Sequence, residues 1–490
     1  MANSRKTAFK VLLKIEQDGA YSNIALNNAV KESELSPLDA AFTSALVYGV
    51  LERKITLDYI IKQYSKIPLR KIELKTKIIL RLGLLQMAFM DKIPESAAVN
   101  ESVKLAKQQK LQKSSGFINA ILRSFARDNC KIKYPDSNNK AEYYSVKYSC
   151  PQMLVKLWIN SYGEDNARGI LENLSGRPNI YARVNTLKTN ADELISVLAD
   201  DKVKAEKVDF PSNAVKIADT GSIERLKAYK GGLLHIQDLS SQLCAYFLSA
   251  EKGQTVLDIC SAPGGKTFTI AEYMQNSGKI TACDMYKHKL KLIEKGAKRL
   301  GINIIETCLR DGASDDKELP SADRILCDVP CSGLGVLSRK PEIRYKDDLI
   351  DTDLADIQYK ILCESAKYLK KGGKLVYSTC TLNPQENNKN TAKAGMFNIN
   401  NAYVRDAILY YTIQQYFNNN DKKTCEYIDQ LEKIDHFDFR SGLKNNIPYL
   451  SSKLNISEKE FYNCYLRVKD SFAKLTDDVI LVKKGDGIYS

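Results

Sequence analysis

The chain has 490 residues, 44% of them hydrophobic and 27% charged, an ordinary globular composition that is too long for a single core, so two to four domains are expected. Its net charge is +14, and residues 1–130 hold 21 Lys+Arg against 12 Asp+Glu, so an excess of nine, about two-thirds of the total, sits in the first quarter. Such an imbalance suits a polyanionic partner, nucleic acid being the commonest.

The opening "MANSRKTAFKVLL" reads as an amphipathic helix rather than a signal peptide, because Lys10 and Lys14 interrupt the apolar run. The most hydrophobic stretch, 78–90, is too short to span a bilayer and contains Arg81. A cytoplasmic protein with no membrane association is expected. Its twelve cysteines, none in a CxxC pair, would then stay reduced, and no metal site is expected.

Residues 1–130 predict helices only, with Ser4 and Asp39 as candidate caps and apolar residues spaced by three and four. Residues 131–178 read as a helical linker. From "NIYARVNTL" the pattern alternates, and residues 179–240 predict a small α+β module whose helix "NADELISVLADD" opens on an Asn cap. From residue 241 strands and helices alternate, at 255–260, 268–275, 279–284, 286–300, 303–307, 324–328, 354–370 and 374–379, which predicts a doubly wound parallel sheet over 241–390.

Five stretches could carry chemistry at the edge of that sheet. "VLDICSAPGGKT" (256–267) takes a strand into a glycine turn, with a helix expected from Thr267. Its backbone N–H groups could meet a carboxylate or phosphate. A phosphate-binding loop of the NTPase type would need a glycine where Cys260 stands, and GxGxxG is absent. Asp284 and Asp311 end successive strand candidates, and together they outline a nucleoside pocket. "ILCDVPCSGLGVLSRKPEIRY" (325–345) carries Asp328 and Cys331, and "YSTCTLNPQENN" (377–388) carries Cys380. Strands four and five of such a sheet are near neighbours, so both thiols can face one pocket.

The set "DICSAPGGKT", "DVPCSGLGVLSRKPE" and "YSTCTLNPQEN" resembles the bacterial RNA cytosine-C5 methyltransferases, which use S-adenosylmethionine. The likeness runs over about residues 4–390. It implies a NusB-like helical RNA-binding bundle, a ferredoxin-like module, and a Rossmann-like methyltransferase domain. It further implies Cys380 as the nucleophile toward cytosine C6, Cys331 as the thiol that helps remove the C5 proton and release the adduct, and Asp328 on the edge of the base. Cofactor contacts would fall to Cys260, Ser261, Ala262, Pro263, Gly264, Gly265, Lys266, Asp284, Asp311 and Asp328. Arg339, Lys340 and Arg344 would hold phosphates of a small-subunit ribosomal RNA, bound by a monomer.

After Asn388 the likeness is expected to end. Residues 391–490 read as an atypical, mainly helical region, either an extra domain or a fused neighbouring reading frame, with a strand-like "DDVILVKKG" near its end. Replacing the last strands of the sheet would leave a catalytically impaired RNA-binding protein as the alternative.

Overall fold

The computed structural model describes residues 4–176, 178–315, 319–346, 349–350, 352–387, 457 and 479–483. They belong to two compact units, Met1–Pro178 with Val336–Leu349, and Asn179–Gly335 with Ile350–Ser490.

The first unit is helical. Seven helices between Ser4 and Arg127 bury a core that includes Phe9, Leu46, Ile79, Leu85 and Phe125. Helix Pro37–Glu52 is capped by Ser36 rather than Asp39. The Ser36 hydroxyl accepts from the Asp39 N–H and donates to the Asp39 carboxylate, while Pro37 occupies the first turn. Ser4 lies inside the first helix and donates to Asp39 across the fold. Buried Arg81, the charge that interrupts the apolar run, is neutralised by Asp58 at 2.7 Å and Glu16 at 3.1 Å. Residues 131–178, expected as a helical linker, carry helices Lys140–Tyr148, Gln152–Tyr162 and Glu164–Glu172. These bury Tyr144, Leu154, Trp158 and Leu171, which is why they join the helical unit. No helix among the described residues is long and apolar enough to cross a membrane.

The second unit begins with four antiparallel strands, β1 (Ile180–Val184), β2 (Lys204–Lys207), β3 (Ala214–Ala218) and β4 (Leu234–Ile236), in the order β2-β3-β1-β4. Helix Ala191–Asp200 is capped by Asn190, whose side chain accepts from the Glu193 N–H. The large sheet contains β5 (Thr255–Asp258), β6 (Lys279–Asp284), β7 (Ile305–Leu309), β8 (Ala322–Asp328), β9 (Leu369–Ser378) and β10 (Val479–Lys483). Its order is β10-β9-β8-β5-β6-β7, with every pair parallel except β9 with β10. Strand order reverses between β5 and β8, the switch point beside which open parallel sheets generally bind their ligands, at the C-terminal ends of the strands. Arg183 of β1 donates to Glu272 at 2.8 Å with both side chains buried, which fixes the small sheet against the helix that follows the glycine turn.

The sheet does acquire a strand beyond β9. Val479–Lys483 pairs antiparallel with it, from Val479 opposite Ser378 to Lys483 opposite Lys374, at the position of the strand-like stretch near the chain's end. The helical character expected over most of 391–490 lies outside the described residues.

Candidate active site

Strand β5 ends on Asp258, which is fully buried. The Thr267 hydroxyl donates to one of its oxygens at 2.7 Å, and the other has no hydrogen-bond partner among the described residues. Burial pushes this carboxyl up to about 7. The chain then turns through Cys260, a half-buried residue whose thiol burial holds far above its usual range. The Ser261 N–H and hydroxyl both donate to the Cys283 carbonyl at 2.8 Å, pinning the turn to β6. Ala262 and exposed Pro263 follow, and Gly264 adopts φ +107°, where a Cβ would meet the Phe268 ring at 2.5 Å. The helix starts at Gly265, two residues before Thr267, because the left-handed glycine turns the chain directly into it.

Asp284 lies at the end of the neighbouring strand, buried, with one oxygen accepting from the Tyr286 N–H at 2.9 Å. Asp311 is exposed two residues past β7 and accepts from the Ala313 N–H at 3.0 Å.

Across the switch point, Asp328 ends β8 opposite Ser378 at the end of β9. One Asp328 oxygen accepts from Lys266 Nζ and the other from the Ser378 hydroxyl, each at 2.7 Å. Lys266, expected among the cofactor contacts, is thus directed to the carboxylate on β8. Burial alone would lower its pKa, but the Asp328 charge leads the opposing influences and raises it overall.

Three residues beyond the end of β8 and two beyond the end of β9 the sulfurs meet. Cys331 Sγ stands 2.9 Å from Cys380 Sγ and accepts the Cys380 N–H at 3.1 Å, while the Cys380 carbonyl accepts the Gly335 N–H at 2.9 Å. Neither cysteine is in a disulfide; Cys380 is exposed and Cys331 half-buried. The hydrogen bond with Cys380, then burial, then the charge on Cys380 push the Cys331 thiol well above its usual range. A pair of this kind ionises one sulfur at a time.

A residue inside "YSTCTLNPQENN" to which the sequence assigns no role organises both loops. Buried Glu386 accepts from the Ser332 N–H and Gln358 Nε2 at 2.9 Å, Asn383 Nδ2 at 3.0 Å and the Ser332 hydroxyl, and its carbonyl accepts from the Tyr377 hydroxyl at 2.7 Å. A glutamate in a polar turn reads as solvated; only its apolar neighbour Tyr377 and the need to satisfy a loop between two strand ends could have signalled burial.

Of the three basic residues expected on phosphate, Arg344 is excluded by the structure. It is fully buried, and its guanidinium donates to the carbonyls of Glu52, Ser149, Leu174 and Leu337 at 3.1–3.4 Å, so it is a tie within the helical unit. Lys340 is exposed and Arg339 half-buried.

Comparison with known proteins matches residues 245–428 to the family model described as 16S rRNA methyltransferase RsmB/F. Residues 2–127 match the NusB family, and 150–224 the ferredoxin-like domain of RsmF/B-like methyltransferases. The first match passes the break expected at Asn388, where the reading rested on a change of composition. The chain is 40% identical to the probable ribosomal RNA small subunit methyltransferase B of Bacillus subtilis over 388 residues, 79% of this chain and 86% of that one. The protein of the same description from Synechocystis is 35% identical over 79% and 87%. Among solved structures, PH0851 shares the fold with a TM-score of 0.67 at 24% identity, over 80% of this chain and 88% of that one.

Proposed function

Because the chain belongs to the 16S rRNA methyltransferase RsmB/F family, we propose that it methylates carbon 5 of a cytosine in small-subunit ribosomal RNA, through a covalent bond between Cys380 and C6. The observation that carries this reading is the 2.9 Å approach of Cys331 and Cys380 at the ends of adjacent parallel strands, beside the Lys266–Asp328 ion pair.

S-adenosylmethionine fits the residues present. A buried carboxylate at the end of β6 keeps one oxygen clear of the Tyr286 N–H, and a second, Asp258, carries an oxygen without a partner among the described residues. Asp284 would hold the ribose hydroxyls and the turn 260–265 the methionine end, with Asp311 near the adenine. When bound, the cofactor supplies an electrophilic methyl group, which carbon 5 takes as the carbon–sulfur bond breaks toward sulfur.

The protein's task is to make carbon 5 nucleophilic. A Cys380 thiolate adds to C6, forming a C–S bond and moving the C5–C6 electron pair onto the ring. Negative charge develops on the ring edge as the thiolate adds; Asp328, held by Lys266 and Ser378, would accept from the base's amino group, and the Lys266 ammonium, 2.7 Å from that carboxylate, supplies the positive charge that offsets it. Once Cys380 is bonded to carbon, its charge no longer opposes ionisation of Cys331. That thiol can then lose its proton to solvent and take the C5 proton. The electrons of the C5–H bond re-form the C5–C6 double bond and expel the Cys380 thiolate. A base stacked in a helix cannot reach the two sulfurs, so the target is single-stranded or flipped out.

The test compares two variants on rRNA with labelled cofactor. Cys380→Ala should abolish both methyl transfer and adduct; Cys331→Ala should accumulate a protein–RNA adduct that survives denaturation. Reversed behaviour would exchange the two roles, and label appearing at a base position other than carbon 5 would reject the reading.

A further inference from the structure

We propose that helix Lys287–Leu300 is a second RNA-contacting surface, one that grips a phosphate backbone through a row of four lysines. This rests on the reading of the substrate as RNA but concerns a surface outside the site built on Cys331 and Cys380.

The helix buries Leu290, Ile293, Ala297 and Leu300 against the sheet. Lys287, Lys291, Lys295 and Lys298 are exposed. At 100° per residue they fall within an arc of about 80°, and they run about 16 Å along the axis. Among the described residues none of the four is paired with a carboxylate. The one acidic residue of the helix, Glu294, accepts from the Thr307 hydroxyl on β7 at 2.9 Å, so it is drawn to the flank.

This arrangement disfavours the helix that carries it. Lysines four apart repel along the row, and Lys287 and Lys289 occupy a first turn with no acidic residue, where the helix dipole opposes positive charge. Lysines with structural work elsewhere in the chain are paired: Lys133 with Asp128, Lys279 with Glu306, Lys367 with Glu364, and Lys370 with Asp323. An unpaired cationic row of this length complements a polyanion whose charges repeat every few ångströms, and a nucleic-acid backbone is that partner.

The experiment measures binding of the full chain to a naked 16S rRNA transcript against salt concentration. The variant K287Q/K291Q/K295Q/K298Q should bind about tenfold or more weakly near 100 mM salt, and the slope of log K against log salt should flatten by about 3. The matched variant K133Q/K279Q/K367Q/K370Q loses the same four charges and should stay near wild type. Arginine at all four row positions should restore the wild-type slope, which separates charge from local folding, and cofactor titration should be unchanged throughout. Equal slopes for wild type and the row variant overturn the proposal while leaving the methyltransferase reading intact. So would an equal loss in the matched variant. Normal salt-dependent loss with label found off carbon 5 would sink the functional reading and support the surface.

Discussion

Glu386 accepts the Ser332 N–H at 2.9 Å on one carboxylate oxygen and the Ser332 hydroxyl on the other, so the residue next to Cys331 is fastened to the turn that follows Cys380. The separation of the two sulfurs is therefore set by a third side chain. Glu386→Ala leaves several buried donors without an acceptor and should destabilise the protein by about 1–3 kcal/mol. Glu386→Gln keeps the shape but presents an amide N–H to donors. Both should lower methyl transfer at least tenfold, by loss of preorganisation, with cofactor affinity unchanged. Single-turnover transfer and cofactor titration read the two quantities; a loss of cofactor affinity alone would place Glu386 with the other site.

Lys266 separates two assignments. If its Nζ serves Asp328, Lys266→Met should slow methyl transfer on the order of 100-fold, the effect of removing a preorganised charge from a reacting site. Cofactor affinity should hardly change. If the variant instead binds the cofactor poorly and transfers normally once saturated, the lysine belongs to the cofactor, as its place in the glycine turn first suggests.

Arg344 and Lys340 lie four residues apart in one basic stretch and should behave in opposite ways. Arg344→Ala leaves four carbonyls of the helical unit without their donor, and loss of so many buried bonds should cost about 3–5 kcal/mol. Arg344→Lys, with a single ammonium in place of a planar fork, should recover only part of it. Lys340→Ala should leave stability within about 0.5 kcal/mol. Denaturant unfolding of the full chain, monitored in the helical unit through Trp158, decides between them.

These contrasts show where the sequence was legible. The parallel sheet, the Asn190 cap and the ends of β8 and β9 follow from local patterns, because periodicity and turn chemistry act within a few residues. The pairing of Cys331 with Cys380 was accessible for the same reason, since adjacent strands deliver their next residues to one edge. Arg344 and Glu386 were not legible, because each is defined by partners on other elements. A buried guanidinium that collects carbonyls from residues 52 to 337 has the same one-letter code as a solvated one. The helical character of 131–178 was legible, but its packing into the helical unit was not, because the burial of Trp158 and Leu171 depends on partners elsewhere in the chain.

Asp258 should make stability depend on pH in a direction unusual for a carboxylate. Its folded-state value is about 7 against an ordinary aspartate value of 3.8. Below about pH 4 the group is protonated in both states and contributes nothing to the slope. Between about pH 4 and 7 the folded protein holds a proton that the unfolded chain has released, so stability falls as pH rises, by up to about 1.4 kcal/mol per unit. Above pH 7 both states are ionised and the contribution is level. Glu272 titrates over a similar range, pushed up to about 7 by burial against the lowering influence of Arg183, so wild-type slopes alone mix the two. Asp258→Asn removes one proton site and keeps an acceptor for the Thr267 hydroxyl. The difference in stability, variant minus wild type, should therefore rise from pH 5 to pH 7 and flatten by pH 8 in urea unfolding. Parallel curves over that range would mean that Asp258 is ionised in the fold, with its bare oxygen already satisfied by solvent.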